Sequence, residues 1–157
     1  MWAKLKPYFI SILIALGIGG LSSFLTRNNM DIYKYLNKPA LSPPSIVFPI
    51  VWTVLYILMG ISSARIYLQK SDYPYEVMDA LFTYVLQLIM NFFWSIIFFN
   101  MRTFLFSFIW LVVLWAMILK MILKFGMLDK RAAYLQIPYF LWVTFAGYLN
   151  FMIYLLN

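Results

Sequence analysis

The stretch KPALSPPSIVFPIVWTVLYILMG, residues 38–60, joins a proline-rich loop to a long apolar run. Pro39, Pro43 and Pro44 come before the run, and each proline fixes φ and pushes the preceding residue towards an extended conformation. Pro49 falls in the first turn of the predicted helix, where its missing N–H costs little. The stretch therefore predicts a stiff loop that stops at a membrane surface and sets the start of a transmembrane helix.

The composition is that of an integral membrane protein. Of the 157 residues, 65% are hydrophobic and 11% are charged, whereas soluble domains are about half apolar and about a quarter charged. The net charge of +7 is not gathered into a basic stripe of a soluble segment, so no nucleic-acid partner is predicted. The chain has no cysteine and no histidine, which excludes thiol chemistry and metal ligation through these residues. We predict neither a metal nor a cofactor.

Five apolar stretches are long enough to cross about 30 Å of hydrocarbon as helices. They cover residues 8–25, 46–68, 78–99, 104–123 and 132–156. The alternating pattern of a membrane β-barrel is absent. We therefore predict an all-α membrane protein, a five-transmembrane-helix bundle that forms one domain over residues 1–157. The connection over residues 26–45 is long enough to predict a lid or binding loop.

The N-terminal segment bears on processing and orientation. Lys4 and Lys6 before an apolar run resemble the start of a signal peptide, but the run is long for such a segment and lacks a clear A-x-A cleavage site. We expect the first helix to be retained. Eight of the 12 Lys and Arg residues fall on the side of the predicted bundle that carries the N-terminus. The positive-inside rule then places the N-terminus in the cytoplasm and the proline-rich loop outside.

Aromatic and small polar residues follow helical spacing on one face of three predicted helices. The stripes are Phe48, Trp52, Tyr56 and Met59; Gln87, Asn91, Trp94, Ser95 and Phe98; and Tyr139, Trp142, Ala146, Leu149 and Asn150. Ordinary packing explains such stripes if the amides bond across helices. An apolar pocket with few polar groups, which suits a small-molecule ligand, explains them equally well. Four cations near the mouth of such a pocket either ring it or contact lipid headgroups: Arg27, Lys34, Lys38 and Arg102.

A stripe of small residues lies on the first predicted helix. It consists of Ala15, Gly19 and Ser23, at four-residue spacing. Small residues let helix backbones approach closely. The stripe predicts a close helix contact, either between two copies of the chain or within one.

Three blocks of the sequence carry a family resemblance. They are KPALSPPSIVFPIVWTVLYILMG, LIMNFFWSIIFF and IPYFLWVTFAGYLN. They resemble the signature blocks of the TspO/MBR family, the tryptophan-rich sensory proteins and mitochondrial translocator proteins, also called peripheral-type benzodiazepine receptors. The resemblance covers nearly the whole chain. It implies a five-helix bundle, often a homodimer, with a cavity below the first loop that binds porphyrins such as protoporphyrin IX and isoquinoline-carboxamide or benzodiazepine-type ligands.

The resemblance also implies site residues. Carried over by position, and with Phe48 added from the stripe, the ligand-binding set is Phe48, Trp52, Tyr56, Asn91, Trp94, Phe98, Trp142, Ala146, Leu149 and Asn150. Trp52 and Trp142 match the pair that the family associates with porphyrin degradation in bacterial members, and no other catalytic residue is assigned. Ile32 and Leu41 stand where the family usually has tryptophans, so the lid is expected to stack less on a ligand. No basic residue follows the fifth helix as in the animal cholesterol-recognition pattern, which favours a bacterial membrane.

Three functions remain open at this point. The leading interpretation is a membrane receptor, sensor or transport protein for porphyrins. The rival from another class is an enzyme that degrades protoporphyrin with light and oxygen through Trp52 and Trp142. The third is a scaffold whose aromatic faces bind partner helices. The predicted spans offer no general-acid carboxylate or histidine, and hydroxyls and amides are weak acid–base catalysts.

Overall fold

The computed structural model describes residues 1–157, which form helices and loops without a strand. The helices are α1 (Trp2–Thr26), α2 (Ile32–Tyr35), α3 (Val47–Tyr67), α4 (Pro74–Ser95), α5 (Phe104–Leu128) and α6 (Lys130–Leu156). A π-helical turn over Ile96–Asn100 continues α4. All except the short α2 belong to helices that are long and apolar enough to cross a membrane, and there are five of these. The predicted all-α bundle of five transmembrane helices is confirmed.

The observed helices extend beyond several of the predicted spans. The largest differences are at the start of α1, which begins at Trp2 rather than at residue 8, and at the end of α5, which reaches Leu128 rather than residue 123. An apolar run marks only the part of a helix that lies in hydrocarbon. Backbone hydrogen bonds continue the helix into polar residues near the membrane surface. Pro138 lies inside α6, which is helical from Lys130 to Leu156.

α1 packs closely against α3 through two glycines. A Cβ on Gly19 would lie 2.3 Å from Cε2 of Tyr56, and a Cβ on Gly60 would lie 2.5 Å from the Cα of Ile12. Both distances are shorter than real Cβ contacts, so a side chain at position 19 would displace the Tyr56 ring, and one at position 60 would displace the backbone of α1. Ala15, on the same stripe as Gly19, is fully buried. The predicted close helix contact is therefore present within one chain, and this part of the stripe is not free to join two copies.

The remaining helices enclose an apolar core. α5 packs along α6 and α4, and α3 packs against α6. α4 and α6 lie across the bundle from each other and meet through long side chains. Fully buried core side chains include Met59, Leu114, Ile118, Met121, Phe125 and Tyr139. Outward faces expose large apolar residues such as Leu13 and Leu123, as expected for helices surrounded by lipid.

Polar contacts join the helix ends on the side of the membrane that lies away from the first loop. We call this side the opposite face. Arg65 Nε donates to Oδ2 of Asp129 at 2.7 Å, and Oδ1 of Asp129 accepts from the backbone N–H of Arg131 at 3.0 Å, which caps α6. Burial raises the pKa of the Asp129 carboxyl, but these hydrogen bonds and the Arg65 charge outweigh burial and leave the pKa below its usual value. Ser62 Oγ also donates to the carbonyl of Ala132 at 2.7 Å. Together these contacts join the end of α3 to the junction of α5 and α6.

Candidate ligand cavity

A cavity of about 360 Å³ lies beneath the first loop, between α1, α3, α4 and α6. Small-molecule sites commonly measure about 300–1,000 Å³. All ten residues predicted to bind ligand line this cavity: Phe48, Trp52, Tyr56, Asn91, Trp94, Phe98, Trp142, Ala146, Leu149 and Asn150. The three predicted stripes thus meet on one concave surface.

α3 supplies an aromatic wall. The rings of Trp52 and Tyr56 lie one helical turn apart, with centroids 5.7 Å from each other. Trp52 also meets Tyr139 of α6 edge-on at 6.2 Å. One turn nearer the loop, Phe48 meets Trp142 of α6 edge-on at 5.7 Å. Tilted and edge-on contacts are the favourable arrangements for aromatic pairs, and here they fix the ring orientations that the cavity presents.

Asn150 lines the cavity, but its side-chain amide is hydrogen-bonded to other parts of the protein. Its Oδ1 accepts from the indole N–H of Trp94 at 3.1 Å and lies 3.0 Å from the Ser107 hydroxyl. Its Nδ2 donates to the carbonyl of Phe104 at 2.8 Å. Trp94, held in this way, stacks on Phe98 with a centroid distance of 5.3 Å. Asn150 therefore joins α4, α5 and α6 and positions Trp94.

Asn91 forms the inner end of the cavity. Its Nδ2 donates to the hydroxyl of Tyr139 at 3.1 Å, and that hydroxyl donates to Oε1 of Gln87 at 2.7 Å. Gln87 shares the predicted stripe with Asn91, yet it lies outside the set of lining residues. On α4, Asn91 therefore borders the cavity, whereas Gln87, one turn away, is buried in the protein interior.

Trp142 offers a hydrogen-bond donor that the protein does not use. Its indole N–H is buried and has no partner within the chain. Leaving a buried donor unpaired costs about 1–3 kcal/mol. Trp142 lines the cavity, but this nitrogen has almost no accessible surface, so a ligand acceptor reaches it only if the indole or its neighbours shift.

α1 forms a wall of the cavity that the sequence patterns did not predict. Gly19, Ser22, Ser23 and Thr26 all line it. Their spacing of three and four residues is that of one helical face, and its three hydroxyls are the signal that could have identified it. Small residues also mark helix contacts, which is why part of this face predicted an interface. Ser95, a member of the predicted stripe on α4, also lines the cavity, and the remaining lining residues outside the predicted set are Met30, Tyr33, Ser45, Pro49, Phe99 and Ile153.

The first loop covers the cavity as an ordered lid, residues 27–46. Tyr33 of α2 is buried, its ring meets Phe48 edge-on at 5.0 Å, and its hydroxyl donates to the carbonyl of Pro43 at 2.8 Å. Burial raises the pKa of the Tyr33 phenol. Lys38 Nζ donates to the Tyr33 carbonyl at 2.6 Å. These contacts let the lid close over the aromatic wall with Tyr33 as its main apolar contact.

Two asparagine pairs fasten the lid to the bundle. Asn157 Nδ2 donates to the carbonyl of Asn37 at 2.9 Å, and the backbone N–H of Asn37 donates to Oδ1 of Asn157 at 3.1 Å. At the other end, Asn29 Nδ2 donates to Oδ1 of Asn100 at 2.8 Å. The lid is thus tied to the end of α6 and to the π-helical turn after α4.

The cavity lining carries no charged side chain. None of the four cations predicted near its mouth is among the lining residues, and three of them are engaged elsewhere. Lys34 pairs with Asp31 at 3.3 Å, Arg27 lies 4.0 Å over the ring of Phe24, and Lys38 bonds to the lid backbone. The lining itself therefore offers no cation to a ligand carboxylate. The cavity can stack rings and form neutral hydrogen bonds, but its lining has no acid or base.

These features define a small integral membrane protein whose five-helix bundle encloses an uncharged aromatic cavity under a lid. The sequence matches the TspO/MBR family over residues 9–156. It is 38% identical to the tryptophan-rich protein TspO of Chlorobaculum tepidum, over 94% of this chain and 92% of that one. It is 35% identical to protein CrtK of Rhodobacter capsulatus, over 80% and 78% of the two chains. It is 30% identical to the translocator protein of Bos taurus, over 76% and 70%.

The chain belongs to the TspO/MBR family, a family of integral membrane sensor and translocator proteins. The resemblance drawn from the three sequence blocks is confirmed.

Proposed function

We propose that the chain is a membrane receptor, sensor or carrier that binds a flat aromatic ligand of the porphyrin or isoquinoline-carboxamide class in the lidded cavity. The observation that carries this proposal is the convergence of all ten predicted residues on one cavity of drug-like size. A scaffold that only binds partner helices would have no use for an enclosed site whose aromatic rings face inwards.

The chemistry of the lining suits such a ligand. Trp52 and Tyr56 present extended aromatic surface, and ring stacking favours a flat, polarisable ligand. The unpaired N–H of Trp142 can donate to a ligand acceptor once the indole turns towards the cavity. Because the lining has no cation, binding rests on the ring system, and any carboxylates of a porphyrin point towards the lid and water.

The rival enzymatic function has one observation in its favour. Trp52 and Trp142, the two tryptophans that it requires, line the same cavity. The lining provides no group for acid–base catalysis, so the reaction would depend on the excited porphyrin, oxygen and the indoles. Because both tryptophans line the cavity, degradation of a bound porphyrin is included as an outcome of the experiment below.

One experiment separates the three functions. Purified protein is mixed with protoporphyrin IX in the dark and then illuminated in air, while the Soret absorbance is followed. Binding with an intact Soret band after illumination supports a receptor or carrier. Protein-dependent loss of the band in light, beyond the loss in detergent alone, supports the enzyme. Absence of binding in the dark, to protoporphyrin IX and to an isoquinoline carboxamide alike, contradicts both and leaves the scaffold.

We also propose that the protein forms a homodimer in a bacterial cell membrane with its N-terminus in the cytoplasm. The orientation is supported by the eight cations on the side of the N-terminus, and the bacterial membrane by the bacterial relatives. The dimer rests on the family resemblance. Because Ala15 and Gly19 are used within the chain, its interface must involve other residues. Native mass spectrometry from detergent would report one or two chains.

A further inference from the structure

A row of polar side chains, all buried except Ser11 at its end, continues from the inner end of the cavity towards the opposite face. It runs between α3, α4 and α6 and ends against α1. Its members are Asn91, Tyr139, Gln87, Tyr84, Gln136, Ser63 and Ser11. Polar side chains at this depth are expensive in a membrane bundle unless they are satisfied. We call this set the polar row.

The end of the polar row nearest the cavity is paired, and its middle is not. Asn91, Tyr139 and Gln87 form the hydrogen-bonded series described above. Beyond it, Gln87 Nε2, both side-chain heteroatoms of Gln136 and the hydroxyl of Tyr84 have no partner within the protein. Both glutamines are 0% exposed, and Tyr84 is 5% exposed. Four buried polar atoms therefore need partners in one small region.

Helical spacing places these atoms in the same compartment. Tyr84 precedes Gln87 by three residues on α4, and Gln136 precedes Tyr139 by three residues on α6. Residues three apart lie on the same face, one turn along. Since Tyr139 bonds to Gln87 across the gap between the helices, Gln136 and Tyr84 border the next part of that gap.

The polar row reaches α1 near the opposite face. The Tyr84 hydroxyl lies beside Ser63 of α3, although outside hydrogen-bond geometry. Ser63 Oγ in turn lies 2.5 Å from Oγ of Ser11 on α1. Two residues further along α3, Arg65 forms its ion pair with Asp129. Polar groups are therefore present from the inner end of the cavity as far as Ser63 and Ser11, and an ion pair lies nearer the opposite face.

The four unpaired atoms form no hydrogen bonds with one another or with the rest of the protein, so the protein alone does not offset the cost of burying them. A buried polar group left unpaired costs about 1–3 kcal/mol, and leucine or methionine at Gln136 would avoid that cost. Buried water makes about three hydrogen bonds to otherwise unsatisfied groups. A donor and an acceptor on Gln136, a donor on Gln87 and a hydroxyl on Tyr84 are the partner set that buried water requires.

We propose that the polar row binds buried water between α3, α4 and α6, with Gln87, Gln136 and Tyr84 as its ligands. This hydrated column is joined to the cavity through Tyr139 and Asn91 and extends towards Ser63 and the opposite face. It gives the inner end of the cavity a hydrogen-bonded connection to water that does not pass through the lid. The proposal does not depend on which ligand the cavity takes.

Radiolytic hydroxyl labelling of the full chain in detergent micelles tests the proposal. X-ray pulses generate hydroxyl radicals from bound water, and mass spectrometry reads the side chains beside it. We expect Tyr84 to be labelled at a rate close to that of Tyr75, a residue in the first turn of α4 that is 84% exposed. Phe125 is the internal control because its ring lies 6.3 Å from that of Tyr84 and is 0% exposed. After correction for intrinsic reactivity, Tyr84 protected as strongly as Phe125 would overturn the proposal.

A matched variant tests the role of Gln136. In Gln136→Leu the water loses two hydrogen-bonding groups, so Tyr84 labelling should fall towards the Phe125 level while Tyr75 labelling stays constant. Gln136→Asn should restore part of the labelling. Unchanged Tyr84 labelling in Gln136→Leu, or a raised melting temperature that indicates relief of a dry amide, would contradict the proposal. If the variant does not fold, the comparison of Tyr84 labelling with Phe125 labelling in the wild type still decides whether the polar row holds water.

Discussion

Replacing Gly19 by alanine tests whether α1 forms a wall of the cavity. An added Cβ would lie 2.3 Å from Cε2 of Tyr56, and ordinary contacts begin at 3.4 Å, so the ring edge must retreat by about 1 Å. The ring can retreat towards the cavity when no ligand is bound. With a ligand in place that space is occupied, and the overpacking cost of about 1–3 kcal/mol falls on the complex.

We therefore expect Gly19→Ala to weaken ligand binding by about five- to a hundred-fold, with a much smaller effect on the melting temperature of the free protein. Gly20→Ala is the matched control, because a Cβ at Gly20 meets nothing within 4 Å. Protoporphyrin IX titrations followed by tryptophan quenching and Soret absorbance, in the same detergent, compare the two. Wild-type affinity in Gly19→Ala, or an equal loss in Gly20→Ala, would refute the assignment of α1 to the cavity.

Three further predictions concern the lid, pH and orientation. Asn157→Ala removes two hydrogen bonds to the backbone of Asn37, each of which contributes about 0.5–1 kcal/mol, so stopped-flow dissociation of ligand should become about five- to thirtyfold faster; an unchanged rate would exclude a closing role for these bonds. Folding lowers the pKa of Asp129, so the unfolded state binds more protons as the pH falls, and the stability that Asp129 contributes above about pH 4 should be lost below it. Melting curves over pH 3–6 should show this loss in the wild type and a weaker one in Asp129→Asn, whereas equal curves would contradict the role of the ion pair. A cysteine at Asn28, which is exposed in the lid, should react with an impermeant thiol reagent in intact cells, and labelling only after lysis would reverse the proposed orientation.

The number and order of the transmembrane helices could be predicted because a membrane imposes a length requirement on each apolar run. The ends of α1 and α5 were less well predicted, since helical hydrogen bonding continues past the hydrocarbon. The aromatic lining could also be predicted, because helical spacing alone places Trp52 and Tyr56 on one face of α3, and Trp142 and Ala146 on one face of α6.

Other features depend on tertiary contacts that spacing does not reveal. The sequence could not show whether Gly19 contacts Tyr56 of the same chain or a second copy, because small residues are expected in both kinds of helix contact. Lys38 of the lid donates to the carbonyl of Tyr33, a contact that only the folded loop brings into place. Asn150 shares a stripe with Trp142, but its amide is committed to Trp94 and the backbone of α5, which no one-dimensional pattern indicates.

The affinity of Trp52→Ala for protoporphyrin IX in the dark tests the proposed cavity most directly. Removing one stacking ring costs about 1–3 kcal/mol in comparable aromatic contacts, so binding should weaken about five- to a hundred-fold. Trp2→Ala is the control, because Trp2 is 65% exposed at the start of α1 and does not line the cavity. The account predicts a large loss for Trp52→Ala and none for Trp2→Ala. Wild-type affinity in Trp52→Ala would show that the ligand binds elsewhere.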